Sequence, residues 1–189
     1  MEMVAIVNAA NPQLEDNGGV AIVEAGGVTI QADSRIIVES HGQIAVGDIA
    51  VTISGNLPCR IIIHAVTPTF VHINPDVSVQ QLRAAITRIL EFENISEQIE
   101  TLTILAIGVG IFSFPVHSCA SEVIEILMNK CIPPSICCLS EIRLISNEDR
   151  TVKAFKTACV TWTPPHDIEA DQIEPLIPRL YLLLLLIHK

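Results

Sequence analysis

Positive charge is scarce in this sequence where an anion would most need it. The first thirty-four residues contain no lysine or arginine, and residues 1–100 hold four basic against twelve acidic side chains, a net of −8. Residues 101–189 hold seven against nine, a net of −2, which completes the formal charge of −10 for the 189-residue chain. Binding to a nucleic-acid backbone needs clustered Lys and Arg to displace counterions, so nonspecific or direct DNA binding is not expected. Any anion held by the first half must be held mostly by backbone groups. The six cysteines, at 59, 119, 131, 137, 138 and 159, form no paired CxxC grid. Reduced thiols in a nuclear or cytoplasmic protein are the expectation. Long apolar runs are missing as well. No basic region precedes the short apolar run at the N-terminus, so it is not a secretory signal. Leu180–Ile187, eight residues that are apolar apart from the Tyr181 hydroxyl, falls short of the roughly 20 residues of a membrane span.

What is present is the composition of a folded domain. Half the residues are hydrophobic and 17% are charged, which excludes disorder. Val4–Val7, Ile49–Ile53, Arg60–Val66, Thr101–Ile107 and Ser140–Ile145 read as strands, with Ser54-Gly55-Asn56-Leu57-Pro58 as a hairpin turn. Between them lie helical patterns: Val20–Ala25, Ile30–Ser40, Val79–Phe92, Val116–Lys130 and Asn147–Cys159. In Val79–Phe92 the residues Val79, Leu82, Ile86, Ile89 and Leu90 recur at helical spacing, and Ser78 with Gln81 predicts a capping box at its start. Strands alternating with helices imply an α/β fold, three layers with helices on both faces of a mixed central sheet. The alternation stops after Trp162. Residues 1–162 are expected to be the domain, and 163–189 an extension that is loosely docked or forms a short helix over apolar surface.

Two strand-to-helix junctions carry the candidate chemistry. In the first, Val7-Asn8-Ala9-Ala10-Asn11 ends a buried strand and Gly18-Gly19 opens the segment Val20–Ala25. Glycines let backbone N–H groups approach a ligand, and a helix N-terminus favours negative charge without any basic side chain. A tight turn is the alternative reading. The second is Gly108-Val109-Gly110-Ile111-Phe112-Ser113-Phe114-Pro115 after the strand Thr101–Ile107. Two such loops at the carboxyl ends of strands of one sheet form the crevice where α/β proteins place ligands. Their pairing fits a diphosphate clamped from two sides, with Phe112 available to cover or stack; Phe112 and Phe114 as plain core aromatics is the alternative.

Val7-Asn8-Ala9-Ala10-Asn11, Gly18-Gly19-Val20-Ala21, Ala25-Gly26-Gly27, Val46-Gly47-Asp48, Leu57-Pro58-Cys59, Ile63-His64-Ala65-Val66 and Gly110-Ile111-Phe112-Ser113-Phe114-Pro115 stand in an order that resembles the macro domain, an ADP-ribose-binding module. The resemblance covers about residues 4–162. It looks closest to macro domains of the poly(ADP-ribose) polymerase group, supported by Glu141–Asp149, Thr151-Val152 and Ala154-Phe155-Lys156. It implies that Asn11 hydrogen-bonds the distal ribose and that Gly18, Gly19 and Val20 offer backbone N–H groups to the pyrophosphate. Gly108, Val109, Gly110, Ile111 and Phe112 would close over it, with Phe112 against the distal ribose. Ala9 and Ala10 complete the ligand-facing strand end, and Ser146 and Asn147 lie on the adenine side. The implied partners are ADP-ribose and ADP-ribosylated proteins or poly(ADP-ribose), in ADP-ribosylation signalling such as the DNA damage response and interferon signalling; full-length relatives also suggest a Deltex-type ubiquitin ligase. No cofactor or metal is expected.

Departures from the family pattern bear on activity. Asn17 stands where the family usually has a further glycine, Gly108-Val109 where many members have two serines, and Thr67 where a glycine is usual. The strands and helix that usually precede the strand at Val4 are absent, which would leave a sheet edge that the apolar tail could cover. One hydrolytic subgroup places an aspartate directly after Gly-Gly-Val, and here that position is Ala21. Glu15, Asp16 and Glu24 read as solvated charges, and His64 as a buried structural histidine. His41 and His117 have no triad partners at suitable spacing, and the cysteines form no nucleophile or zinc constellation. A reader module is the leading expectation, no catalytic residue is assigned, and an ADP-ribosyl hydrolase or a non-binding scaffold are the alternatives.

Overall fold

A computed structural model describes residues 4–15, 20–95, 99–105, 107–131, 139–164 and 180–181. Strand β1 (Val4–Ala10) leads to α1 (Val20–Gly26) and α2 (Val28–His41). The hairpin β2 (Ile49–Ile53) and β3 (Ile61–Val66) follows, then α3 (Pro75–Ile95), β4 (Thr101–Leu105), α4 (Val116–Cys131), β5 (Glu141–Ile145), α5 (Asp149–Thr161) and the short strand β6 (Leu180–Tyr181). The sheet order is β2-β3-β1-β4-β5-β6. β2 is antiparallel to β3, and the remaining neighbours are parallel. The expected mixed α/β sheet is therefore the observed one, with β1 three residues longer than its apolar run because Asn8, Ala9 and Ala10 pair in register with His64, Ala65 and Val66.

Parallel strands are buried on both faces, so they read as near-continuous apolar runs, as Ile61–Val66 does apart from His64. On one face Ala5, Val7, Ile63, Leu102, Ile104 and Leu144 meet α3, α4 and α5 in a single core cluster. On the other, Ile62 packs with Ile22 of α1 and Ile30 of α2, while Ala10, Ala50 and Val66 meet Ile37 and Val38 of α2. The chain turns one way from β1 to build β2 and β3, then crosses back over β1 through α3 to build β4 and β5. That reversal puts the switch point of the fold between β1 and β4.

Two details differ from expectation. Helix α3 begins at Pro75, not beside Ser78; proline suits the first helical position, where its missing N–H costs nothing. Ser78 lies one turn inside, where its hydroxyl accepts from the Val71 N–H at 3.1 Å and donates to the Thr69 carbonyl at 3.4 Å. It pins the preceding loop and is not an N-cap. In the tail, Leu180 and Tyr181 form not a helix but a short strand at a sheet edge, pairing with Ile142 and Arg143 of β5. A β5–α5–β6 connection returning parallel to its starting strand is the usual crossover unit, which is why an apolar run after a helix can be taken up at this edge.

Candidate ligand-binding crevice

The carboxyl ends of β1 and β4 are adjacent, so the loops that follow them flank one crevice at the switch point. The β1 loop is built around Leu14. Its side chain is buried with Ala10, Ala50 and Val66, yet its backbone is left-handed, with φ 54°. A leucine adopts that conformation only under compulsion, and here burial of the side chain supplies it, with the Gln31 amide donating to the Leu14 carbonyl at 3.3 Å. Asn11 closes the turn: its carbonyl accepts from the Leu14 N–H at 3.0 Å and its Oδ1 accepts from the Glu15 N–H at 2.9 Å. This fixes the carboxamide and leaves the Nδ2 hydrogens as the donors for a ligand hydroxyl. Asn11 and Ala9 are partly exposed and Ala10 is buried. Gly18 and Gly19 lie outside the described residues; Val20 is the first residue of α1.

The β4 loop repeats the pattern. Gly108 and Gly110 have φ of 80° and 73°, and Ser113, at φ 59°, is with Leu14 one of the two non-glycine residues of left-handed backbone among those described. A side chain at Gly108 would lie 2.9 Å from the Cys119 sulfur, so glycine is required there by both conformation and space. Cys119 Sγ donates to the Ile107 carbonyl at 3.1 Å. Gly110–Phe112 is a single 3-10 turn closed by the Ser113 N–H to the Gly110 carbonyl at 3.0 Å. Val109 is buried, Phe112 is buried at 8% exposure in the main core and Phe114 lies beside it, whereas Ile111 is 59% exposed. Phe112 and Phe114 are thus core aromatics in this structure, and Ile111 is the apolar side chain at the loop's tip.

Behind the β1 strand end lies a buried polar chain. Asn8 Nδ2 donates to His64 Nδ1 at 3.3 Å, and His64 Nε2 lies 2.8 Å from Thr52 Oγ1, which donates to the Ile53 carbonyl. That arrangement requires the neutral Nε2–H tautomer. Burial pushes the imidazole down from its ordinary 6.5 to about 4, against the opposing pull of Asp33. His64 is 2% exposed and is a structural group, as its place in an apolar strand suggested.

The remaining candidates stand apart. Ser146 is buried and its hydroxyl accepts from the Glu148 N–H at 3.2 Å, while Asn147 is exposed at the end of β5. Glu15 and Glu24 are exposed; Asp16 lies outside the described residues. Burial pushes the Cys119 thiol up to about 12 and that of Cys159 up to about 11, and raises that of Cys59 as well. These thiols are therefore protonated and poor nucleophiles at neutral pH. Among the described residues, no group of three His, Cys, Asp or Glu side chains could hold a metal, and no helix is long and apolar enough to cross a membrane.

A three-layer α/β domain whose β1 and β4 loops lie side by side at its switch point is the class that the geometry defines. The macro domain family model matches residues 7–123, and the chain belongs to that family. The mouse protein mono-ADP-ribosyltransferase PARP9 is 40% identical over 161 residues, covering 82% of this chain. This chain spans only 18% of that relative's length. The O-acetyl-ADP-ribose deacetylase 1 of Pantoea vagans is 32% identical over 147 residues, covering 76% of this chain and 79% of the relative. The solved Oceanobacillus iheyensis macrodomain with ADP is similar at a TM-score of 0.73 and 25% identity, with 82% of each chain covered.

Leu14, Ser113 and the Asn8–His64–Thr52 chain carried no signal of their own in the sequence. A leucine between Gln13 and Glu15 looks like any loop leucine; only its burial beneath α2 reveals the strained backbone.

Proposed function

We propose that the crevice binds ADP-ribose, free or attached to proteins as mono- or poly(ADP-ribose), and that the chain acts as a reader of that modification. The observation that supports this most is the pairing of a β1 loop whose backbone is left-handed at Leu14 with a β4 loop whose backbone is left-handed at Gly108, Gly110 and Ser113, the β1 loop lying in a stretch of thirty-four residues without lysine or arginine. Such loops offer converging backbone N–H groups, which suit a diphosphate and need no lysine. Asn11, held by the Glu15 N–H, offers its carboxamide to a ribose hydroxyl, and Gly18, Gly19 and Val20 face the pyrophosphate in this reading. Ala9, Ala10 and Gly108–Phe112 line the same ligand, with Asn147 towards the adenine. The neighbour solved with ADP and the mono-ADP-ribosyltransferase relative agree with this ligand class. ADP-ribosylated proteins are the partners, in the nucleus and cytoplasm, within DNA damage and interferon signalling. A Deltex-type ubiquitin ligase would be a partner of a longer chain.

Titration calorimetry with ADP-ribose tests the reading. Binding to the wild-type chain is expected, and Gly19→Glu should abolish it by placing a side chain and a negative charge in the phosphate loop. No heat at millimolar ligand would sink the proposal. A second reading rests on the deacetylase relative: Asn11 could orient water for hydrolysis of an ADP-ribose ester. Ala21 in place of a carboxylate base weighs against it. Release of ADP-ribose from a modified protein that is lost in Asn11→Ala would favour the enzyme.

A further inference from the structure

The loop between β3 and α3, residues 67–74, touches both walls of the crevice. At its start the Thr67 N–H donates to the Ala10 carbonyl at the end of β1, at 3.3 Å. At its middle the Phe70 N–H donates to the Phe112 carbonyl in the β4 loop, at 2.8 Å. The Phe70 ring lies 5.0 Å from the Phe114 ring, tilted by 58°, and 5.0 Å from the His72 ring, edge on. Beyond Phe70 the loop is fastened to α3, because buried Ser78 accepts from Val71 N–H and donates to Thr69 carbonyl. The segment is therefore anchored at three places and spans from one ligand loop to the other.

The β4 loop needs such an anchor. Its tip, Gly110 and Ile111, is exposed, and a Cβ built on Gly110 meets nothing within 4 Å. No packing at the tip sets where Ile111 goes; position is imposed from the base, at Phe112 and Phe114. Phe70 supplies both a hydrogen bond and a ring contact to that base from another part of the chain. Aromatic rings in tilted or edge-on contact at this spacing hold one another beyond simple area burial.

We infer that the β3–α3 loop is a clasp across the crevice and that Phe70 is its positioning residue, holding the β4 loop in the arrangement that closes on the ligand. The inference rests on the ADP-ribose reading for its ligand. Phe70 acts through Phe112 and Phe114 and is assigned no contact with the ligand itself. Removing the ring leaves the backbone hydrogen bond in place but lets the β4 loop populate other arrangements. If the competent arrangement falls to about a tenth of the population, the apparent Kd rises about tenfold.

The test measures ADP-ribose affinity with association and dissociation rates, together with amide hydrogen exchange at Ser113 and Phe114 in the free protein. Phe70→Ala should weaken binding about tenfold, mainly through slower association, because only the competent fraction of the free protein takes the ligand. It should also speed exchange at those two amides, whose partners are the Gly110 and Gly108 carbonyls. Phe70→Tyr keeps the ring and should bind within about twofold of wild type. Leu139→Ala serves as the control for general loss of stability. That side chain is buried at 3% exposure just before β5, at the opposite end of the sheet from the crevice, and its removal should lower Tm with affinity retained. Unchanged affinity or unchanged amide exchange in folded Phe70→Ala would overturn the clasp, as would an equal loss of affinity in Leu139→Ala. Failure of the wild-type chain to bind ADP-ribose would instead remove the ligand assignment, and the exchange measurement would still decide the clasp.

Discussion

The sheet face beneath α3, α4 and α5 is apolar along its whole width, with Ala5 and Val7 on β1, Ile63 on β3, Leu102 and Ile104 on β4, and Ile142 and Leu144 on β5. The face beneath α1 and α2 carries Ile6 and Ile62, but it buries Thr52 level with Ile62, and Asn8 and His64 nearer the crevice, as well. The first face stabilises by area alone. The second spends part of its buried surface on hydrogen-bonded groups that each need a partner. The polar chain ends on Asn8, three residues before Asn11, so the face that carries buried polar groups is the one that backs the β1 side of the crevice.

Three measurements would break or sharpen that contrast. The largest effect is expected on the apolar face. Ile104→Ala should cost about 2–5 kcal/mol of unfolding free energy in a denaturant titration, because its neighbours from β1 and α4 cannot collapse into the space. A loss below about 1 kcal/mol would mean that this face is loosely packed.

Next comes acid sensitivity of the polar face. His64 has a folded value of about 4 against an ordinary 6.5. The unfolded chain therefore binds the proton more tightly. The contribution of neutral His64 is fully present above pH 6.5, falls as pH drops through 6.5 towards 4, and levels off below. It amounts to about 3 kcal/mol across the window. Unfolding curves taken across this range should show that step, and a His64→Gln chain should lack it; identical pH profiles for the two would remove His64 as its source.

The smallest effect is Thr52→Val. It removes the acceptor for His64 Nε2–H and should cost about 1–3 kcal/mol. Because the neutral ring then loses a partner, part of the acid step should go with it. No change in stability would show that water replaces the hydroxyl.

Much of this was legible in the sequence because the signals are local. Ile49–Ile53 and the Ser54–Pro58 turn gave the hairpin, and Gly108 and Gly110 marked a backbone that side chains rarely adopt. The errors arose where a local signal met a distant competitor. Ser78 with Gln81 has the spacing of a capping box, but Pro75 starts the helix earlier and the Ser78 hydroxyl is taken by Thr69 and Val71. The tail after Trp162, read as an extension or a short helix, has Leu180 and Tyr181 paired as a strand with β5, a partner far away in the sequence.

The sequence by itself determined the alternation of strands and helices, the family, and the scarcity of basic side chains in the first hundred residues. These follow from periodicity, composition and ordered motifs, each readable over a few residues. Only the tertiary structure decided that Leu180 and Tyr181 pair with β5, that Leu14 is forced into a left-handed backbone, that His64 bridges Asn8 and Thr52, and that Phe70 reaches Phe112. Each of these depends on which distant group occupies the neighbouring space. That choice is made by close packing and by the cost of leaving a buried polar group without a partner, neither of which is written in any one stretch of chain.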